Sequence, residues 1–268
     1  MPNWVTAKLK IEGQDSAKVM QSLLTKNEEN EIEFDFNKIK PMPSELNIIS
    51  GSITDHCIDI YLSSINPDND EINNGRKTSP MVFSGIKNLA NSEKVFAKFK
   101  GEYTKEMISE LIKNYQEKEF KELKDFIEYG RKALANIINH DAVSWYGWCT
   151  KNCGTKWNAC NNIYNENTPS EICFDTAWSD VRGLMLELSK LFPKNTFVYE
   201  YSEEQLGLYT GIATFKNGEV IEDIEFEDCS KEAYEKAFEL WGEDLKEHYK
   251  FNKKKNTYEH IDNSGEMD

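Results

Sequence analysis

Apolar residues recur at every second position near both ends of the chain, and this alternation most constrains the fold. Residues 5–11 place valine, alanine, leucine and isoleucine on one side, and threonine and lysines on the other. The same period of two returns over residues 172–178 and 197–201. A period of two is typical of a half-buried strand, so these three stretches are predicted to be strands.

Helical signals lie between the strands. Apolar residues recur at helical spacing over residues 15–27, after which residues 33–36 alternate again, and residues 181–191 are amphipathic. Each end of the chain therefore predicts a strand-helix-strand unit. Two such units that share one sheet indicate a ferredoxin-like α/β (α+β) sandwich.

The second unit is followed by signals for a hairpin and a helix. Residues 208–226 form two strand-like runs around Asn217-Gly218, a pair that favours a type I′ turn because both central residues need positive φ. Apolar residues from Ser230 to about His248 then recur at helical spacing. The sheet is expected to gain an extra C-terminal hairpin and helix, and residues 251–268 are predicted to be a flexible tail.

Residues 44–139 have a different character and are predicted to be a mainly helical insertion. The insertion would divide a discontinuous sheet domain made of residues 1–43 and 140–250. Its second half has the strongest helical period in the chain and predicts one long kinked helix or a helical hairpin, with a risk of a break at Gly130. The polar, turn-rich residues 66–80 are expected to be mobile.

The chain of 268 residues is strongly acidic, with 32 Lys and Arg against 47 Asp and Glu and a net charge of −15. Such a surface repels nucleic-acid phosphates, which argues against direct DNA binding and favours a basic protein partner. The sequence has no apolar run of about 18 residues, and its first residues lead straight into a strand. A cytoplasmic location without membrane contact is therefore expected.

The six cysteines and four histidines offer little for a metal site or a nucleophile. The four cysteines between residues 149 and 173 lack the paired two-residue spacing of structural zinc sites, and reduced thiols are expected in the cytoplasm. His140-Asp141 has no second paired motif that would complete a phosphohydrolase site. Because a phosphate-binding loop and a nucleophile elbow are also missing, the chain is predicted to be non-enzymatic, without metal or cofactor. A metal-dependent enzyme is the third hypothesis for its function.

Four of the six tryptophans lie between residues 144 and 178, a stretch that has two interpretations. The indoles either pack between the long helix and the sheet, or they stack on a nucleotide base or another planar ligand while a lysine binds an anion. The second interpretation predicts a nucleotide- or small-ligand-binding protein whose site contains Trp145, Trp148, Lys156, Trp157, Asp175 and Trp178.

Several short motifs together resemble the YubB-type family of ferredoxin-like proteins, which bacteriophages and plasmids carry. The motifs lie at both ends of the predicted sheet and are Met1-Pro2-Asn3-Trp4-Val5, Phe36-Asn37-Lys38-Ile39 with Pro41-Met42-Pro43, Trp145-Tyr146-Gly147-Trp148-Cys149, Gly154-Thr155-Lys156-Trp157-Asn158 and Phe174-Asp175-Thr176-Ala177-Trp178-Ser179. The resemblance implies a ferredoxin-like fold and a mobile-element origin, and it implies no catalytic residues.

Acidic residues are concentrated in the predicted hairpin and the helix that follows it. One interpretation is a solvated surface. The other is that the carboxylates imitate a phosphate backbone and occupy a basic nucleic-acid groove on a host protein. For a chain that resembles mobile-element proteins, this predicts an anti-defence inhibitor, for example an anti-CRISPR protein that acts on a CRISPR effector or nuclease. The predicted partner-binding residues are Glu222, Asp223, Glu225, Glu227 and Asp228.

Overall fold

The computed structural model describes residues 2–27, 29–66, 68–69, 72, 95, 97–115 and 120–261. The chain forms two compact units, one made of Met1–Pro41 with Cys149–Asp268 and the other of Met42–Trp148. We call the first the sheet unit and the second the helical unit.

Residues 140–148, which are predicted to lie in the sheet domain, belong to the helical unit instead. The long helix of that unit ends at His140, and the chain then turns back on it. The side-chain amide of Asn136 donates to the carbonyl of Val143 at 3.1 Å, and this bond holds the returning chain against the helix.

Ten strands and seven α-helices occur in the part of the chain that the structure describes. The strands are β1 Trp4–Glu12, β2 Leu24–Lys26, β3 Ile32–Phe34, β4 Cys160–Tyr164, β5 Glu171–Ala177, β6 Thr196–Glu203, β7 Thr210–Lys216, β8 Glu219–Glu225, β9 Tyr249–Asn252 and β10 Thr257–His260. The helices are α1 Ser16–Leu23, α2 Ser52–Ile65, α3 Lys105–Tyr115, α4 Leu123–His140, α5 Trp145–Asn152, α6 Arg182–Leu191 and α7 Lys231–Trp241.

Six strands form one antiparallel sheet in the order β4-β5-β1-β6-β7-β8. β1 lies between β5 and β6, and its alternating apolar residues at positions 5, 7, 9 and 11 are at most 1% exposed. On one face of the sheet, the backbone N–H of Val181, just before α6, donates to the Tyr199 hydroxyl at 3.2 Å. On the other face, Lys236 of α7 binds Glu200 at 3.0 Å. Helices therefore pack against both faces.

The strands β4-β5-β1-β6 have the order of a ferredoxin-like fold, with α1 after β1 and α6 between β5 and β6. The predicted ferredoxin-like α+β fold class is thus confirmed. The hairpin β7-β8 and helix α7 extend it. Asn217 and Gly218 have φ of 50° and 77°, as the predicted type I′ turn requires.

The predicted strand at residues 33–36 is not part of this sheet. β3 pairs with β2, and the second strand of the first ferredoxin-like unit is β4, which follows the insertion. The alternation has another cause: Phe34 and Phe36 pack against Phe174, with ring centroids 5.0 and 5.9 Å apart. Burial of aromatic rings can produce a period of two without a backbone ladder to the main sheet.

The predicted flexible tail is wrong over residues 251–261. β9 and β10 form a hairpin, and Tyr258 packs against Phe238 of α7 and against Phe251, with centroid distances of 5.3 and 5.2 Å. Asn256 takes a left-handed conformation at the turn, with φ of 52°. The buried aromatic rings outweigh the polar, lysine-rich turn between the strands. Residues 262–268 lie outside the described residues.

In the helical unit, α2 and α4 approach each other closely at Gly130. A Cβ atom on Gly130 would lie 1.9 Å from the carbonyl oxygen of Cys57. The risk of a break at Gly130 is not realised: α4 continues through this residue, and the missing side chain lets the two backbones meet. The long helical signal, predicted to be one long kinked helix or a helical hairpin, is divided between α3, Lys105–Tyr115, and α4, Leu123–His140.

Most of the stretch predicted to be mobile lies outside the described residues, namely residues 67, 70–71 and 73–80. Within the described ranges, no helix combines the length and the apolar character needed to cross a membrane.

Candidate functional site

Strand β8 forms an edge of the six-stranded sheet, and none of the other described strands pairs with its outer side. All seven of its residues are exposed, and the side chains of Val220, Ile221 and Ile224 are 50%, 58% and 40% exposed. The turn that follows adds the exposed residues Glu227 and Asp228. We call β8 together with Glu227 and Asp228 the acidic edge.

The five predicted partner-binding acids lie on this edge, but they do not form one row. Asp223 and Glu225 lie on the sheet face that α6 covers, where both contact Arg182. Glu222 lies on the other face, because side chains alternate along a strand. Asp228 accepts a hydrogen bond from a backbone N–H at 3.2 Å. The carboxylates therefore present two faces to a partner rather than a single stripe.

A polar cluster centred on the buried Asp180 anchors the acidic edge to the core. The Asp180 side chain is 6% exposed and accepts the Nε–H of Arg182 at 3.1 Å, and the Tyr209 hydroxyl donates to its second oxygen. The Arg182 guanidinium also contacts Asp223 at 3.1 Å and Glu225 at 3.6 Å. One arginine thus bridges a carboxylate in the core and two carboxylates on β8.

Two members of this cluster, Arg182 and Tyr209, keep one protonation state over the physiological pH range. Burial alone would lower the pKa of Arg182, but the Asp180 carboxylate offsets this effect and the pKa lies above its ordinary value. Burial and the hydrogen bond to Asp180 raise the pKa of Tyr209 to about 12. Arg182 therefore stays charged and the Tyr209 hydroxyl stays a neutral donor.

No short sequence motif reveals this cluster, because its members come from separate elements. Asp180 and Arg182 stand at the start of α6, whereas Tyr209 precedes β7 and the two acids belong to β8. One signal was present in the sequence: Arg182 is one of three arginines in the chain and stands two residues after an aspartate.

The structure brings together three of the predicted ligand-binding residues and adds Trp4. The Lys156 ammonium lies 4.3 Å from the Trp157 ring centroid and 5.2 Å from that of Trp178, and the Trp4 and Trp157 rings are 6.0 Å apart. These distances are typical of cation-π and aromatic contacts. Trp178 is 48% exposed and has a left-handed backbone with φ of 73°.

The other predicted ligand-binding residues have different surroundings. Trp145 and Trp148 belong to the helical unit, where Trp148 is buried. The Asp175 carboxylate accepts hydrogen bonds from the Thr6 hydroxyl at 2.5 Å and from the Asn161 amide at 2.7 Å. Within the sheet unit, the predicted ligand site is therefore reduced to Lys156 and its two neighbouring indoles.

The six cysteines are free thiols. Burial raises the pKa of Cys57 and of Cys153 to about 12, so both thiols stay protonated and are poor nucleophiles. Across the described ranges, no three His, Cys, Asp or Glu side chains are grouped so that they could hold a metal ion.

Together, the fold and the site define a ferredoxin-like α+β protein whose sheet is extended by a hairpin with an open acidic edge. Residues 155–244 match the family described as a ferredoxin-like domain in Api92-like protein. The matched range contains strands β4 to β8, helices α6 and α7, and the acidic edge.

Among the solved structures, the chain resembles the crystal structure of the protein api92 from Yersinia pseudotuberculosis. The two chains are 12% identical with a TM-score of 0.38, and the alignment covers 85% of this chain and 99% of that one. No curated protein matches the chain.

Proposed function

We propose that this protein is a non-enzymatic mobile-element protein that inhibits a host defence effector, for example a CRISPR effector or another nuclease. It docks the acidic edge on the basic surface with which the effector binds nucleic acid. The observation that carries the proposal is an exposed strand that holds four carboxylates and neither lysine nor arginine. The net charge of −15 adds a long-range attraction to a basic partner.

The acidic edge is organised before a partner arrives. β7 fixes the backbone of β8, and Arg182 fixes the carboxylates of Asp223 and Glu225. Preorganised groups lose less conformational entropy on binding than mobile ones. Glu222 and Glu227 form no ion pair with any described residue, so their charge is directed to solvent and to a partner. A partner held by such charges is released by salt.

Reversal of Glu222 and Glu227 to lysine is expected to weaken the complex by about tenfold or more, because it removes two attractive charges and adds two repulsive ones. The measurement is the amount of effector that the tagged full-length chain co-purifies from host lysate at low and high salt. The nuclease activity of the purified effector, with and without the chain, identifies the partner as an inhibited enzyme.

Reversal of Glu29 and Glu166 is the matched control. Both residues are exposed, lie outside the acidic edge and change the net charge by the same amount. The control is expected to bind nearly as well as the parent. The proposal is wrong if reversal of all five predicted acids leaves both co-purification and inhibition unchanged.

Trp178 favours a second candidate function, the binding of a nucleotide or another planar anion. Its indole is half-exposed, its backbone is left-handed, and the Lys156 ammonium lies beside the ring. A base would stack on the exposed ring with an anionic group near the ammonium. A nucleotide panel is expected to raise the melting temperature of the parent, and Trp178→Ala is expected to abolish that shift. If no nucleotide shifts the parent, this candidate is excluded.

A further inference from the structure

We infer that the acidic edge binds its partner by β-strand addition, in which β8 accepts an extended basic segment as a seventh strand of the sheet. The inference rests on the proposed function, because it names the kind of segment that the acidic edge binds. It also makes a separate claim, that backbone hydrogen bonds as well as charge hold the partner.

The two edges of the sheet differ in whether another segment of the chain covers them. At the β4 edge, the backbone N–H groups of Phe34 and Phe36 donate to the side-chain oxygens of Asn162 at 3.1 Å and Asn158 at 2.8 Å. The chain segment at residues 34–36 therefore covers that edge. No segment of the described ranges pairs with the outer side of β8. An uncovered edge strand with exposed aliphatic side chains is a template for another strand.

Alternate residues of β8 direct their backbone groups away from β7. The N–H of Phe226 donates to the carbonyl of Thr210 at 2.9 Å, so these opposite residues form a hydrogen-bonded pair. Hydrogen-bonded and non-hydrogen-bonded pairs alternate in an antiparallel ladder. It follows that Ile224 bonds to β7, whereas Asp223 and Glu225 direct their N–H and C=O groups outward. These outward groups are the ones with which an added strand pairs.

The side chains of β8 select a basic segment over a second copy of the chain. The strand carries four acids and no basic residue, so a β8-β8 pair would set carboxylates against carboxylates. A basic segment would instead place cations beside them. Because side chains alternate between faces, the complement of Asp223, Ile224 and Glu225 is basic, aliphatic and basic.

The test uses the full chain and a synthetic peptide of seven residues, the length of β8, in which lysine and valine alternate. We expect salt-sensitive binding by fluorescence anisotropy and slowed hydrogen exchange at the amides of Asp223 and Glu225. The same peptide with alternate backbone amides N-methylated keeps its charge but loses donors to β8. It is expected to bind about tenfold more weakly or worse, as the loss of two or more hydrogen bonds predicts.

Two variants of the chain test the same hydrogen bonds from the other side. Asp223→Ala and Asp223→Pro both remove the carboxylate and its contact with Arg182, but only proline removes the outward N–H. Asp223→Pro is expected to bind the lysine-valine peptide about tenfold more weakly than Asp223→Ala. Far-UV circular dichroism checks that both variants fold. If the proline variant does not fold, the comparison of the methylated and unmethylated peptides is the test.

Equal binding of the methylated and unmethylated peptides would overturn strand addition while leaving the proposed function, which needs only charge, in place. The proposed function fails separately, if reversal of all five predicted acids leaves co-purification and inhibition of the effector unchanged. A glutamate-valine peptide that binds as well as the lysine-valine one would overturn the choice of a basic segment. So would a dimer in solution that protects the same two amides.

Discussion

Replacement of Gly130 by alanine is expected to lower the free energy of unfolding of the helical unit by about 3 kcal/mol or more, toward the upper end for overpacked cores. The new Cβ would lie 1.9 Å from the carbonyl oxygen of Cys57 and 2.4 Å from its carbonyl carbon. These are backbone atoms, which cannot rotate away as the end of a side chain can. Helices α2 and α4 must therefore separate, and chemical denaturation followed by circular dichroism measures the cost.

Gly147→Ala is the matched control in the same unit. Gly147 lies in α5, and its Cβ would meet only the Cβ of Ala142, at an ordinary contact distance of 3.9 Å. Alanine is favoured over glycine inside a helix by about 1 kcal/mol, so this variant is expected to be as stable as the parent or slightly more stable. A Gly130→Ala variant with the stability of the parent would contradict the close packing of α2 on α4.

Gly211→Ala is expected to destabilise the sheet unit by about 2 kcal/mol and to loosen the acidic edge. The new Cβ would lie 2.5 Å from the carbonyl oxygen of Ile224 on β8 and 2.6 Å from the Tyr201 hydroxyl oxygen. Either β8 or the buried ring has to move. Chemical denaturation measures the loss of unfolding free energy. Faster hydrogen exchange at the amides of β8 is expected to show that this strand is loosened.

Tyr201→Phe separates the two clashes of Gly211→Ala. The Tyr201 hydroxyl is buried and has no hydrogen-bond partner in the described part of the chain, so its removal is expected to cost little or to stabilise. In the double variant the hydroxyl clash is absent, and we expect about 1 kcal/mol of the loss to be recovered. Gly183→Ala, with no atom within 4 Å of the new Cβ, is the control for a change without a clash. Strictly additive changes in stability would show that the Tyr201 hydroxyl is not involved.

The features that sequence analysis predicted correctly are local in the chain. β1, β5 and β6 follow from a period of two, and the turn at Asn217-Gly218 follows from the positive φ that its two residues adopt readily. Such patterns reflect interactions between near neighbours or with one common core. They identify three of the four ferredoxin-like strands, β1, β5 and β6.

The features that it missed depend on residues that are distant in sequence. β4 alternates weakly and contains a bulge, so its role as an edge strand emerges only from pairing with β5. Gly130 was given a local effect on its own helix, whereas its role is contact with α2. The bridge between Asp180 and the acids of β8 through Arg182 likewise joins elements that no short motif contains.

The position of β1 within the sheet has a consequence for the order of folding. β1 is synthesised before its two partners, which begin at Glu171 and Thr196, and at about 5–20 residues per second they follow roughly ten to thirty seconds later. Closure of so long a loop costs little free energy but slows folding. The hairpins β4-β5, β6-β7 and β7-β8 need no such wait, so we expect them to form early. We expect β1 to take its place between β5 and β6 afterwards, when the helical unit has had time to fold.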